Sequence, residues 1–395
     1  MKQFISITAL LLCTAQAFAQ YTFFEPKESF AIEVSLDNTT LKRLPVYRNA
    51  VSALAVSGDH ILGGTSAGEG LSPFIFVASL SRRELTHMLD LGKAIPGQRS
   101  VAAGFCKGGS VFYAGTIANN EAGGHIMRIT LGSNGQPVVK DLGIPVPKEG
   151  IFSLTANDAG TMLYGISYPK GIFFSYDVAR GKVTTFNNLV PSDKDLRQLT
   201  HEYAMEPEEF LGKALVTDQQ GRVYGSLPVN KLFRFDPQTQ QFTILDNYLP
   251  EVWGRRTLGQ VEAWARAADG KLYGGNRGDG QLFELDPATL KMKNLGKPVM
   301  MNRLRALSFA RDGKLYGIGG GQPGYAHLFS YNTTEGFRDY GNPQFTLVAP
   351  GLEQGIAWRG FQIGSMAASA DGKYVVMGED EALSQLLIFA VEENK

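Results

Sequence analysis

A short phrase of residue chemistry recurs along this chain. An apolar stretch runs into a Gly/Asp turn, an aromatic residue is followed by glycine, a polar loop intervenes, and a second apolar strand ends in Asp. The clearest copy reads Ala268-Asp269-Gly270-Lys271-Leu272-Tyr273-Gly274-Gly275 and continues to Leu282-Phe283-Glu284-Leu285-Asp286-Pro287. Anchored on the first tight turn, seven marks emerge at Gly58, Gly109, Gly160, Gln220, Asp269, Asp312 and Asp371. Their spacings are 51, 51, 60, 49, 43 and 59 residues. A unit of that length cannot bury its own apolar face, so the copies must stack on one another.

That period, with four short strand-like segments per copy, predicts an all-β fold: a seven-bladed β-propeller. The 46 Gly, 24 Phe and 15 Tyr among 395 residues supply turn formers and strand formers to match. Small-residue segments before each mark, such as Val51–Val56, Val101–Phe105, Ile151–Ala156 and Gly364–Ser369, read as innermost strands. Third strands fall at Phe74–Val77, Ile126–Ile129, Phe173–Tyr176, Leu232–Phe235, Leu282–Leu285 and Leu328–Tyr331. Glycines in the second strands are expected to let neighbouring blades approach closely. The last copy stops after its third strand, and the segment Phe30–Leu44 is expected to supply the missing outer strand. Its Leu36-Asp37-Asn38-Thr39-Thr40-Leu41-Lys42 echoes Leu285-Asp286-Pro287-Ala288-Thr289-Leu290-Lys291. Such a splice closes the ring and removes free sheet edges. An eight-bladed ring or an open array is the alternative.

The first nineteen residues read as a cleavable export signal: Lys2, an apolar run from Ile5 to Leu12, and Ala17-Phe18-Ala19 before Gln20. The expectation is a secreted or periplasmic protein with one propeller domain over residues 20–395. The mature chain keeps only Cys106, which rules out an internal disulfide. No segment reaches the length of a membrane-spanning helix. With 38 basic and 38 acidic residues, nothing global favours nucleic acid. A monomer is expected.

In a propeller blade, second-to-third-strand loops and blade-to-blade loops share one face of the ring. The first turns here are short, so length and variety collect on that face, where function usually sits. The connections over residues 191–212 and 342–360 are long enough to form a wall or lid over the channel mouth. Arginine precedes the inner strand in five copies: Arg48, Arg99, Arg256, Arg303 and Arg359 stand 10, 10, 13, 9 and 12 positions before their marks. They are expected to ring the channel mouth and form a site for carboxylates or phosphates. Pairing with acids such as Glu149, Glu262 and Glu379 is the competing reading. Tyr168, Tyr203, Trp253 and Trp358 lie on the same loops, where they could stack on sugar faces or pack the loops. His125 and His327 begin third strands at equivalent positions near that face. His201 and Tyr203, beside Glu206, Glu208 and Glu209, form the candidate proton-transfer pair. No His-x-His, His-Glu-x-x-His or paired-cysteine spacing announces a transition metal. No cofactor is expected; Glu379-Asp380-Glu381 and Asn276 to Asp279 leave calcium open. A phosphate loop and a Gly-x-Ser-x-Gly elbow are absent.

The repeated Asp-Gly-Lys-Leu-Tyr-Gly-Gly … Leu-Phe-x-x-Asp-Pro pattern resembles that of exported bacterial seven-bladed propellers. These include families acting on uronic-acid polysaccharides, such as ulvan lyases and the lyases or rhamnosidases that work at rhamnose–glucuronate linkages. The resemblance implies an acidic oligo- or polysaccharide partner and, in the catalytic version, a polysaccharide lyase or glycosidase. In a lyase, arginines would neutralise the uronate carboxylate while a histidine or tyrosine took the adjacent proton. The resemblance lives in blade scaffolding, which does not by itself specify chemistry. The alternative is a non-catalytic envelope propeller that binds protein or ligand.

Overall fold

The computed structural model describes residues 23–24, 28–34, 49–68, 71–108, 110–119, 122–188, 201, 211–227, 230–250, 260–321, 325–346, 357–359, 362–380 and 385–391. Seven antiparallel sheets follow one another along the chain. The fourth, fifth and seventh marks show the pattern well. Val216–Thr217, Val223–Leu227, Lys231–Asp236 and Gln241–Tyr248 make one blade, and Val261–Arg266, Leu272–Asn276, Leu282–Leu285 and Met292–Gly296 make the next. Blade 7 has three strands of its own, Ile363–Ala368, Tyr374–Glu379 and Gln385–Ala390. Its fourth is Phe30–Glu33, antiparallel to the third, with Phe30 opposite Ile388 and Glu33 opposite Gln385. The expected splice is thus formed over Phe30–Glu33, and the echo motif at residues 36–42 lies outside the described residues. Just before it, Phe23–Phe24 pairs in parallel with Asn342 and Pro343 on the outer strand of blade 6.

Closure is also visible in the core. The buried apolar residues form seven clusters, one for each interface between neighbouring blades. The cluster between blades 7 and 1 joins Ile388 and Val376 to Val51 and Phe76 and includes Phe30 and Ile32 from the spliced strand. Every blade face is therefore covered by its neighbour, which lets a sheet of four short strands bury apolar side chains on both sides.

The Tyr-Gly-Gly phrase has two steric jobs. Its first glycine faces a phenylalanine of the same blade's third strand: Gly63 opposite Phe76, Gly165 opposite Phe174, Gly225 opposite Phe233, Gly274 opposite Phe283 and Gly317 opposite Phe329. A Cβ at any of these five would overlap the ring. The second glycine answers the expectation of close blade approach, since a Cβ on Gly64, Gly115 or Gly275 would strike Val101, Ile151 or Leu304 of the following blade.

One inner strand departs from expectation. In blade 2 the predicted Val101–Phe105 is irregular through residue 104, and strand begins at Phe105–Gly108. Gly104 has φ 76°, a left-handed conformation that turns the chain out of the extended path. The preceding Gln98–Ser100 pairs instead with Ile117–Ala118 and, through Ser100, with Ser66 of blade 1.

Candidate functional site at the channel mouth

Five inner strands carry a β-bulge at the same point. The register skips one residue between Val51 and Ala53, Ile151 and Ser153, Val261 and Ala263, Leu304 and Ala306, and Ile363 and Ser365. The extra residues are Ser52, Phe152, Glu262, Arg305 and Gly364. A bulge re-aims a side chain out of the pleat, and these stand six to eight positions before their turn marks. Ala102 and Lys213 occupy the same place in blades 2 and 4. Ser52, Ala102, Phe152, Lys213 and Gly364 line one cavity of about 160 Å³ together with Ser66, Ser100 and Asp380.

The ring is electrically lopsided. Blades 4 to 7 contribute Lys213, Glu262, Arg303, Arg305 and Asp380, whereas blades 1 to 3 present serine, alanine and phenylalanine. Arg303 grips Glu262 with two nitrogens, Nε at 3.0 Å from Oε2 and a terminal nitrogen on Oε1. Arg305 binds Asp380 and reaches Oε1 of Gln362 at 3.4 Å. Burial would raise the Glu262 carboxyl, but hydrogen bonds from Arg303 and the fields of Lys213, Arg303 and Arg305 outweigh it and hold the group below its ordinary value. The Lys213 ammonium faces the cavity and makes no ion pair or hydrogen bond with a described residue. Lys213 is exposed to the channel, yet the protein packed around its ammonium disfavours the charge, and this desolvation, reinforced by Arg305 and Arg303, outweighs the attraction of Glu262 and Asp380. Its pKa is lowered. Three cations thus face two carboxylates, with Lys213 left over.

The neutral arc is polar in a different way. Ser52 Oγ donates to the Val101 carbonyl at 2.9 Å, and the Ser66 and Ser100 hydroxyls bond to each other. Phe152 forms an apolar wall, backed by Tyr168 in a stacked arrangement with ring centroids 5.6 Å apart.

The residues expected from sequence fall in several places. Of the arginine ring, Arg303 joins the cluster, its side chain engaged by Glu262. Arg99 is exposed on the strand beside Ser100, and Arg359 ends the short strand Ala357–Arg359 opposite Gln344. Arg48, Arg256, Tyr203 and Trp253 lie outside the described residues; His201 is described and exposed. His125 and His327 do not enter the channel cavity. Their Nδ1 atoms bond Asp141 and Asp339 of the outer strands, at 2.9 and 3.0 Å. Glu149, in the competing reading, accepts from the Lys170 amide and the Ser167 hydroxyl and pairs with the Lys170 ammonium at 3.4 Å. Counting back to arginine reaches Lys213 as the basic residue in that region of a blade without arginine, but does not single out Arg305, Asp380 or Phe152. The five bulge residues, with Ala102 and Lys213, all stand six to eight positions before their marks, but only the register shows that this count is the one that matters.

Neither calcium candidate shows a built cage. Asp380 is taken by Arg305, Glu381 lies outside the described residues, and Asn276 bonds the Pro250 carbonyl and the Gly278 amide. Among the described residues, no three His, Cys, Asp or Glu side chains gather as a metal site, and no helix is long and apolar enough to cross a membrane.

No protein-family model and no curated protein sequence matches the chain. Solved structures do match it. A catalytically inactive variant of virginiamycin B lyase from Staphylococcus aureus, with quinupristin, superposes with TM-score 0.60 at 10% identity, covering 88% of this chain and 97% of that one. The periplasmic gluconolactonase of Pseudomonas aeruginosa gives 0.53 at 13% identity, covering 78% and 87%. The β-propeller domain of Cps50 (Swd1) from Myceliophteria thermophila gives 0.56 at 11%, covering 87% and 98%. The chain is a seven-bladed β-propeller. At these identities the likeness is one of fold, and the fold serves proteins as different as a lyase, a lactonase and Swd1.

Proposed function

We propose that this is an exported, monomeric propeller that binds the carboxylate-bearing ring of an acidic carbohydrate in the channel mouth. Lys213 is the counter-ion for the carboxylate, Phe152 the apolar face beneath the ring, and Ser52, Ser66 and Ser100 the hydroxyl partners. The observation that carries this reading is Lys213: a cation facing a cavity, unpaired among the described residues, in the field of two arginines already engaged by acids. A cavity of about 160 Å³ is close in size to one that takes a single six-membered ring. That favours a monosaccharide or a chain end over the middle of a polymer. Export is supported by the sequence of the first nineteen residues and by a periplasmic protein among the structural neighbours.

The paired state of Arg303 and Arg305 favours binding over cleavage, because neither guanidinium is free to close on a substrate carboxylate. The cleaving version needs a base from the 191–212 connection, His201 or Tyr203. Calorimetry with glucuronate, galacturonate and the neutral sugars glucose and galactose tests the reading. The uronates are expected to bind about tenfold or more tighter than the neutral sugars, the effect of one charge-assisted hydrogen bond, and Lys213→Gln is expected to erase the difference. Equal binding of acid and neutral sugars, or uronate binding unchanged in a folded Lys213→Gln protein, overturns it. Absorbance from unsaturated uronates on a panel of acidic oligosaccharides decides whether cleavage follows binding.

A further inference from the structure

The repeat serves as its own control for a second feature, on the opposite face of the ring. In blade 2 the register sets Tyr113 opposite Arg128 and Arg128 opposite Lys140, so these side chains share one face of the sheet. The same row in blade 3 is Tyr164, Ser175 and Thr184. In blade 4 it is Tyr224, Arg234 and Thr243, with Arg234 donating to the Thr243 hydroxyl at 3.4 Å. In blade 5 it is Tyr273, Glu284 and Lys293, and Glu284 accepts from the Tyr273 hydroxyl at 2.7 Å and from Lys271 at 2.9 Å. In blade 6 it is Tyr316, Ser330 and Arg338, with Arg338 over the Tyr340 ring at 4.6 Å. Of these five rows, blade 2 alone sets two cations against each other. Neither its guanidinium nor its ammonium has an ion pair or hydrogen bond among the described residues.

Like charges directly opposite one another destabilise a sheet. Here they also line a groove of about 370 Å³ between blades 2 and 3, with Gly108, Tyr113, Gly160 and Val178 among its other walls. The floor is firm. The Tyr113 hydroxyl donates to the Gly160 carbonyl at 3.1 Å, and the turns of the two blades approach so closely that a Cβ on Gly108 or Gly160 would strike the other's backbone. We infer that this groove is a second anion site, independent of the channel, in which an oxyanion bridges Arg128 and Lys140. Arginine offers two parallel donors and lysine a point charge, the combination that suits a phosphate-type group. The volume lies at the lower end of small-molecule sites, leaving room for a polar body such as a sugar carrying the oxyanion as an ester.

The test uses inorganic phosphate and glucose 6-phosphate as probes, with sodium chloride at matched ionic strength as control, read by thermal unfolding and by titration of backbone amide resonances. Both probes are expected to raise the Tm more than chloride does, with amide shifts around Arg128 and Lys140. The response is expected to persist in Lys213→Gln, which separates this site from the channel. Lys140→Glu, which copies the mixed charge of blade 5, is expected to raise the Tm without any probe and to remove the response; Arg128→Gln is expected to weaken binding about tenfold or more. Equal responses to phosphate and chloride, a response that survives Lys140→Glu and Arg128→Gln, or amide shifts confined to the channel residues would each overturn the site. Glucose 6-phosphate binding more weakly than the inorganic ion would overturn the ester assignment.

Discussion

At Glu262 two demands meet: the carboxylate is almost wholly buried, and three cations surround it. Its folded-state carboxyl is held below its ordinary value, so its contribution to stability is fully present above the unfolded pKa. It is lost as pH falls through the lower folded value. Glu262→Gln leaves Arg303 without its partner and should cost about 3 kcal/mol at neutral pH, since breaking a buried pair leaves an uncompensated charge. The gap from wild type should shrink as the pH is lowered, which denaturant titrations at several pH values will read. Lys213 runs the other way. Its pKa is lowered on folding, so between its folded and unfolded values the unfolded chain holds more protons and stability rises with pH. Substituting Glu262 removes an attraction that raises the Lys213 pKa. Uronate binding should therefore fall away at a lower pH in Glu262→Gln than in wild type, as calorimetry across a pH series will show. Glu262 could be read from the sequence as an acid able to pair with an arginine, and Arg303 takes it; that Asp380 would take Arg305 could not. Arg303 stands 9 positions before its mark and Arg305 only 7, and the bulge between Leu304 and Ala306 decides that Arg305 is the extra residue of the inner strand.

At the scale of the element, the second and third strands of each blade are keyed by a glycine and a phenylalanine. Gly274 and Gly317 sit beneath Phe283 and Phe329, both of which are fully buried. Gly317→Ala should destabilise the protein by about 1–3 kcal/mol, because the added methyl has to displace a ring in a packed core. Pairing Gly317→Ala with Phe329→Leu, which makes room for the methyl, should recover part of that loss in a double-mutant cycle on urea unfolding. The Tyr-Gly-Gly phrase was legible as a strand with a steric requirement. Which neighbour imposed the requirement was not, because the phenylalanine lies across a loop of variable length and only register brings it opposite.

For the whole molecule, the ring depends on two short strands at the start of the described chain. Phe23–Phe24 extends blade 6, and Phe30–Glu33 completes blade 7, with Ala31 and Ile32 fully buried in the clusters on either side of that blade. Ile32→Asp should cost more than about 3 kcal/mol, because it places an unpaired carboxylate between two blades. A chain truncated through Val34 should lose its cooperative unfolding transition, and a synthetic peptide of residues 23–34 added in trans should restore it. Circular dichroism during thermal unfolding reads both outcomes.

The repeat period, its turns and the apolar strands pointed from sequence to seven blades, because local chemistry is copied seven times, and the unfinished last copy pointed to closure by the N-terminal segment; the structure excluded the eight-bladed and open alternatives. The channel was decided by tertiary structure. A single extra residue in an inner strand reverses which side chain faces inward, and such a bulge leaves no mark in the composition of the strand. It is the ring, not the sequence spacing, that brings Lys213, Glu262, Arg305 and Asp380 from four different blades within reach of one cavity.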